Sequence, residues 1–256
     1  MWSLFLYAPS PLAAALSVAG ATGLGTIALY EFRGGNQAYS KFVRAGARLM
    51  LPSRAGMLMF YSPALVSALA SLAVPGAIEG ARERLLCAAF TANLIKRVLE
   101  VLFLHQYSGS MPLGMALLGS SFYLFAVAMI YLQRLNRGLP EPAVNLLYPG
   151  VLVFAVGNTG NFYHHLLLSR LRAGGSDKEY KIPRGGMFEL VACPHYLFEI
   201  FTFFGFAMIS QTVFALVVAV VSAVFLAGRS SATRKWYASK FEEFPARVKA
   251  LVPYVW

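Results

Sequence analysis

The stretch IFTFFGFAMISQTVFALVVAVVSAVFLAG, residues 200–228, contains no Asp, Glu, Lys or Arg. About 20 apolar residues cross a bilayer, so a run of this length belongs in a membrane rather than in a soluble core. It divides at Ser210–Gln211–Thr212, giving two helices, one entering from about 190 and the other leaving near 229. Working outward, Met1–Tyr30, Ala55–Ile78 and Val101–Gln133 are equally free of charge. Only 13% of the 256 residues are charged and mean hydropathy is +0.60, against roughly twice that charged share in soluble domains. The chain therefore reads as all-α, a polytopic integral membrane protein with seven transmembrane helices near 8–30, 56–78, 84–106, 112–132, 146–168, 190–209 and 212–229. The runs are solidly apolar rather than alternating, which argues against a closed barrel. The first is too long, and lacks the basic flank, for a cleaved signal peptide. No repeat or linker divides the chain, so residues 1–256 form a single membrane domain.

Charge sets the expected orientation. Placing 31–55, 107–111, 169–189 and the tail from Arg229 on one side puts 16 of the 22 Lys and Arg there. The opposite side receives Arg82, Arg84, Arg134 and Arg137. By the positive-inside rule the C-terminus is cytosolic and the N-terminus lumenal. The net charge of +11 is then mainly a topology signal. Nucleic acid is not an expected partner, because there is no soluble basic module to carry it.

Charged and polar groups inside apolar helices are costly and point to function. Lys96, Arg97 and Glu100 interrupt the third helix. Lys96 and Glu100 stand at i, i+4, where they pair either as a structural bridge or as the wall of a polar cavity. The fifth helix carries GNTGNFYHHLLLSRLR, 157–172, in which Asn161, His165 and Arg172 form a polar stripe facing a ligand. Gly157 and Gly160 are better explained by close helix packing. The link 170–186 and the tail from Arg229 are basic and aromatic, a composition suited to a nucleotide with phosphates, since Arg offers fixed bidentate donors. Neither GxGxxG after a strand nor GxxxxGKS is present, so such a nucleotide is held without Rossmann or P-loop machinery. Four histidines, two of them adjacent, do not make an oxygenase-type metal centre, and no metal is expected.

The segment YKIPRGGMFELVACPHYLFE, 180–199, followed by Gly228–Arg229 and RKWYASKFEEFPARVKALVPYVW, 234–256, resembles the C-terminal domain of the steroid 5α-reductase family (3-oxo-5-alpha-steroid 4-dehydrogenases). That family includes polyprenol reductases and the trans-2-enoyl-CoA reductases of very-long-chain fatty acid elongation. The clear match covers 157–256. Upstream, LIKRVLEVLFLHQYSGSMPL, 94–113, is similar to the enoyl-CoA reductases, and LPSRAGMLMFYSPA, 51–64, is more like the steroid reductases. The resemblance implies helices 1–150 on the substrate side and an NADPH-binding part, 151–256. It carries cofactor contacts onto Asn161, Arg172, Tyr180, Glu199, Arg229 and Tyr237, and onto Arg97 near the pyrophosphate. His165, His195 and Thr233 depart from the residues usual at their places, and His165 and His195 are kept as cofactor-side positions. The Glu and Tyr with which steroid reductases clamp their substrate are replaced by Tyr61 and Leu94. The Tyr and Lys attributed to the enoyl-CoA reductases are matched by Tyr196 and Lys96, while their upstream Gln is not, Met50 standing near that place.

The implied reaction delivers hydride to the β-carbon of a C=C conjugated to a carbonyl, as in a 3-oxo-4-ene steroid or, alternatively, a trans-2-enoyl-CoA. Tyr196 is the expected catalytic donor, because a phenol of pKa ~10 keeps its proton at neutral pH. Lys96 is expected beside it, and Glu199, one turn on, is assigned to the nicotinamide carboxamide. An interfacial aromatic-belt tyrosine is the plain alternative for Tyr196, and Tyr61 is the next candidate for donor. The rival class is an S-adenosylmethionine-dependent membrane methyltransferase, faintly echoed by Glu242–Glu243; a non-catalytic scaffold would have no use for Glu199. The expected setting is the endoplasmic reticulum membrane, with a lipid substrate, surrounding lipids and other lipid-metabolism membrane enzymes as partners.

Overall fold

The computed structural model of the chain describes residues 2–37, 42, 49–107, 109–172 and 180–256. Among these residues a one-turn helix at Trp2–Phe5 is followed by seven longer helices: α1 Pro11–Phe32, α2 Ser53–Ala73, α3 Ala81–Leu99, α4 Leu113–Leu132, α5 Leu147–Arg172, α6 Pro194–Ser210 and α7 Val213–Lys240. Among the described residues four are long and apolar enough to cross a membrane: α1, α2, α4 with its 3₁₀ extension to Asn136, and α7. The other three are the ones the chemistry marks. α3 carries charges in its interior, α5 carries the Asn–His stripe, and α6 is 17 residues long. The α1 helix contains a π-turn at Gly20–Leu24, and α3 continues as another at Glu100–Leu104, closed by His105 N–H donating to the Glu100 carbonyl at 2.8 Å.

Several boundaries differ from those expected. The last helix does not stop at 229, because RSSATRKWYASK has neither Gly nor Pro and buries Arg229, Ser230, Thr233 and Tyr237 on one face. The α6 helix starts at Pro194 rather than 190, since proline lacks the N–H that a helix interior requires and is suited to its first turn. Residues 190–193 instead pair with the tail: Ala192 N–H donates to Lys249 O at 2.8 Å and Lys249 N–H to Leu190 O at 2.9 Å. The fold is also not wholly helical. Met50–Pro52 (β1) and Ser110–Pro112 (β2) form an antiparallel ribbon with Leu51 opposite Met111. Each strand ends in a proline that caps the next helix, α2 or α4, and the residue before proline is pushed into extended geometry. The ribbon thereby sets those two helix starts at one level.

Close approach of backbones positions the rest. A Cβ on Gly157 would lie 2.5 Å from Thr202 N, so α5 and α6 meet main chain to main chain, as the sequence suggests for that glycine. At Gly228 a Cβ would lie 2.4 Å from Phe32 Cα, which docks α1 on α7. Phe206 of α6 packs against Phe90 of α3 and Phe154 of α5 at 4.8 and 5.3 Å between centroids.

The α6–α7 corner is knotted by Gln211, fully buried and in the left-handed region at φ 51°. Its Nε2 donates to Phe5 O at 2.7 Å and Val144 O at 2.9 Å. Its Oε1 accepts from Leu146 N and Arg82 Nη1 at 2.8 and 3.0 Å. Arg82 reaches on to Glu141 at 2.5 Å. One amide thus satisfies backbone from two connecting segments that would otherwise be buried unpaired.

Candidate active site

At the other end of α3, α5 and α6 the helices enclose a cavity of about 400 Å³. One wall is apolar, with Leu24 and Ile27 of α1, Met57 and Phe60 of α2, Phe122 of α4 and Phe225 of α7. Across it runs a polar belt made by the turns that break the apolar pattern. From α3 comes Arg97, from α5 His165, from α6 His195 and Glu199, from α2 Tyr61 and from α4 Tyr123.

Arg97 is the hub. Its Nη2 donates to Tyr61 Oη and lies 3.9 Å from Glu199 Oε1. Its Nη1 donates to Glu100 Oε2 at 3.2 Å and lies 3.2 Å from His165 Nδ1. Tyr123 Oη donates to the same Glu199 oxygen at 3.1 Å, and the Tyr61 and Tyr123 rings meet edge to face at 5.0 Å. A carboxylate inside a bundle is stable only when paired and hydrogen-bonded, and Glu199 has both a cation and a phenol. Sequence reading finds Glu199 and Arg97 from their charge but misses Tyr123, which sits in an uncharged run where a tyrosine looks lipid-facing.

Glu100, His105 and His165 each bring one possible metal-ligand atom to within 4.8 Å of the others. Arg97 Nη1 already stands 3.2 Å from both Glu100 Oε2 and His165 Nδ1, so the single carboxylate meets a guanidinium there. A divalent cation would have to enter against that charge.

Of the residues predicted from sequence, Arg97, His165, Tyr180, His195, Tyr196, Glu199, Arg229 and Tyr237 line the cavity. Lys96 and Asn161 stand behind the wall. The Lys96 ammonium donates to Asn161 Oδ1 at 2.6 Å, and Asn161 Nδ2 donates to His195 O at 2.9 Å. Lys96 thus reaches the Pro194–Glu199 turn through Asn161, at the backbone beside Tyr196. Tyr196 has its ring 4.2 Å from His195 and packs among Ala192, Cys193 and Val248. The Arg172 side chain, and part of the 170–186 link, fall outside the described residues.

The rim is built by the tail. Tyr180 meets Trp236 edge to face at 4.8 Å, and Tyr237 stacks on Phe244 at 5.6 Å and 9°. Arg229, although on the cavity wall, is 1% exposed and donates to Glu31 Oε1 at 3.1 Å and Gln37 O at 3.0 Å. Glu31 ends the first apolar run, where sequence reading sees only a flank.

A family model for 3-oxo-5-alpha-steroid 4-dehydrogenase matches residues 110–256, reaching from β2 through the tail. The chain belongs to that family. Within the 3-oxo-5-alpha-steroid 4-dehydrogenase family, the human type 1 protein is 32% identical over 230 residues, covering 86% of each chain. The Macaca fascicularis type 1 protein is 31% identical over 242 residues, 91% of this chain and 90% of the relative. The very-long-chain enoyl-CoA reductase of Dictyostelium discoideum is 32% identical over 171 residues, which is 65% of this chain and 56% of that protein. Membership makes the chain an oxidoreductase acting on CH–CH groups.

Proposed function

We propose that this protein reduces a C=C bond conjugated to a carbonyl in a lipid, with NADPH as reductant. The observation that carries the reading is the Tyr61–Arg97–Glu199–Tyr123 belt set in the wall of an otherwise largely apolar cavity. Such a belt has fixed donors for a developing oxyanion, while the apolar wall takes up the lipid and excludes water.

The residues present fit the cofactor. Arg97 Nε is buried without an acceptor among the described residues, and Arg97 and Arg229 put fixed positive charge on the wall. Glu199 is an acceptor for a carboxamide, and Tyr180, His195 and Tyr237 offer flat faces for rings. When bound, NADPH supplies hydride to the β-carbon. Lys96 and Asn161 hold the start of α6 so that His195, Tyr196 and Glu199 keep their places; Tyr196 and Tyr61 are the phenols able to face a carbonyl. The His165 ring shares Glu100 with Arg97 and so fixes the guanidinium's direction.

The apolar wall draws on α1, α2 and α4 and the rim on 180–256, which supports a substrate side in 1–150 and a cofactor side in 151–256. Similarity to the human and macaque 3-oxo-5-alpha-steroid 4-dehydrogenases supports a 3-oxo-4-ene steroid as substrate; similarity to the Dictyostelium very-long-chain enoyl-CoA reductase supports a trans-2-enoyl-CoA as second reading. The proposed setting is the endoplasmic reticulum membrane with the rim toward cytosol, alongside other lipid-metabolism membrane enzymes. The test is purified protein in detergent, assayed for NADPH oxidation with a 4-ene-3-oxosteroid and with a trans-2-enoyl-CoA. NADPH should raise the melting temperature and S-adenosylmethionine should not. A response to S-adenosylmethionine alone would sink the reductase reading.

A further inference from the structure

The adjacent His164 and His165 point about 100° apart around α5; His165 faces the cavity and His164 does not. The His164 ring is 2% exposed. Its Nδ1 lies 2.7 Å from Gly160 O, and Met187 N–H donates to its Nε2 at 3.2 Å. A carbonyl can only accept and an amide N–H can only donate, so the two partners fix the proton on Nδ1 and leave Nε2 as an acceptor. The ring is stacked on Phe198 of α6 at 5.2 Å and 18°, and Phe188 meets it at 5.5 Å and 71°. Contacts to α5, to α6 and to the Gly186–Glu189 turn thus leave the imidazole one orientation.

The turn it holds stands between two stretches of the cavity wall. Tyr180 and Pro183 line the cavity before it, Cys193 and His195 after it. Gly185 and Gly186 have φ of 85° and 52°, in the left-handed region that glycine favours. A Cβ on Gly186 would lie 2.9 Å from Tyr163 Cε1 and 3.1 Å from His164 Nε2, so the main chain rests directly on α5. Phe188 N–H to Gly185 O and Gly185 N–H to Glu189 Oε1, both 3.1 Å, shape the turn without tying it to a helix. The bond from Met187 N–H to His164 ties it. At the far end Asn161 Nδ2 holds His195 O at 2.9 Å. One helix therefore pins the 187–195 stretch at both ends, through side chains three residues apart.

We propose that His164 is a positioning residue for the cofactor side of the cavity, its imidazole latching the Gly186–Glu189 turn to α5 and so setting where the two wall stretches stand. The inference rests on the reductase reading above. A wall fixed in advance receives a ligand without the ordering cost that a loose segment imposes. His164 touches neither hydride nor proton in this role; it acts through the backbone of Met187.

Asn and Gln separate the two ring nitrogens. The Gln amide reaches the place of Nε2 and the Asn amide that of Nδ1, so His164→Gln keeps an acceptor for Met187 N–H and His164→Asn loses it. Purified protein in detergent is measured in two ways: hydrogen–deuterium exchange of the 184–191 peptide without cofactor, and NADPH affinity by the fluorescence of NADPH. In His164→Asn the Met187 amide should exchange ~10-fold faster and the Kd for NADPH should rise ~10-fold, the worth of one hydrogen bond. His164→Gln should stay within about twofold of wild type in both. A plain packing role would move the two variants alike, and equal exchange and equal Kd in both would overturn the latch while leaving the reductase reading intact. Faster exchange in His164→Asn with an unchanged Kd would overturn the positioning role. Wild-type protein that does not bind NADPH would overturn both the proposal and the reductase reading.

Discussion

Removing Glu31 should unseat the first helix. The Glu31 and Arg229 side chains are 0% and 2% exposed and meet at 3.1 Å, and the second Glu31 oxygen accepts from Gln37 N–H at 2.6 Å. In Glu31→Ala the guanidinium keeps the Gln37 carbonyl at 3.0 Å and the face of Phe42 at 4.3 Å but loses the Glu31 carboxylate. Breaking a buried pair from one side costs ~3–5 kcal/mol, and the surviving contacts place the expectation in the lower half. At roughly 2–4 °C per kcal/mol for a chain of this size, the melting temperature in detergent falls by on the order of 10 °C. Replacing both partners, Glu31→Leu with Arg229→Met, should recover most of it, because two desolvated charges are exchanged for packing. A single variant melting within about 2 °C of wild type, or a double variant worse than the single, would show that the buried pair does not hold α1 on α7. The double variant also isolates the proposed cofactor contact. If Arg229 reaches a phosphate, KM for NADPH rises ~10–100-fold in a protein that is otherwise stable, the worth of a charged hydrogen bond; an unchanged KM removes Arg229 from the cofactor's grip.

Gly157→Ala should destabilise by ~1–3 kcal/mol in a melting experiment, because its Cβ meets the backbone of α6 at 2.5 Å rather than a side chain that can turn aside. Acid should loosen the Gln211 corner. Burial alone would raise the Glu141 carboxyl, but the hydrogen bond from Tyr7 and the Arg82 guanidinium outweigh it and hold the group below its ordinary range. A depressed carboxyl contributes stability that is complete above the ordinary carboxylate range and lost as pH falls through the folded value; the Glu141→Gln variant should show a flatter melting profile over that acid window, and an identical slope would exclude Glu141. An acceptor site for N-glycosylation fused after Trp256 should stay unmodified while one in the 137–146 connection is used, and the opposite pattern would invert the orientation read from the charge split.

The apolar runs made most helices legible, because a bilayer demands uncharged length whatever the packing. Helix ends were less so. The α7 extension to Lys240 depends on a face buried by the tail, and the 190–193 segment leaves helix to pair with Lys249, and both are tertiary effects. At the site, Arg97, Glu199 and His165 announce themselves as polar groups in apolar helices. Tyr123 does not, since a phenol in GSSFYLF is equally at home against lipid and only its distance to Glu199 distinguishes it. Glu31 is silent for a related reason: a carboxylate at the end of a run looks like a solvated flank, and its partner lies 198 positions on. Lys96 was visible as a charge, but its reach to Asn161 rather than Tyr196 is set by helix rotation.

The π-turn Glu100–Leu104 sets where the side chains beyond it face. A π-turn holds one residue more than the α-helical frame around it, so Arg97 is phased before it while His105 and Tyr107, on the cavity wall with Arg97, come after it. Deleting a single residue from 101–104 would restore the ordinary frame and swing everything after it about 100° round the axis, with the charged turn left where it is. The side chains that follow the turn can therefore be re-aimed by length, through a one-residue deletion that leaves the Arg97–Glu100–His165 contacts in place.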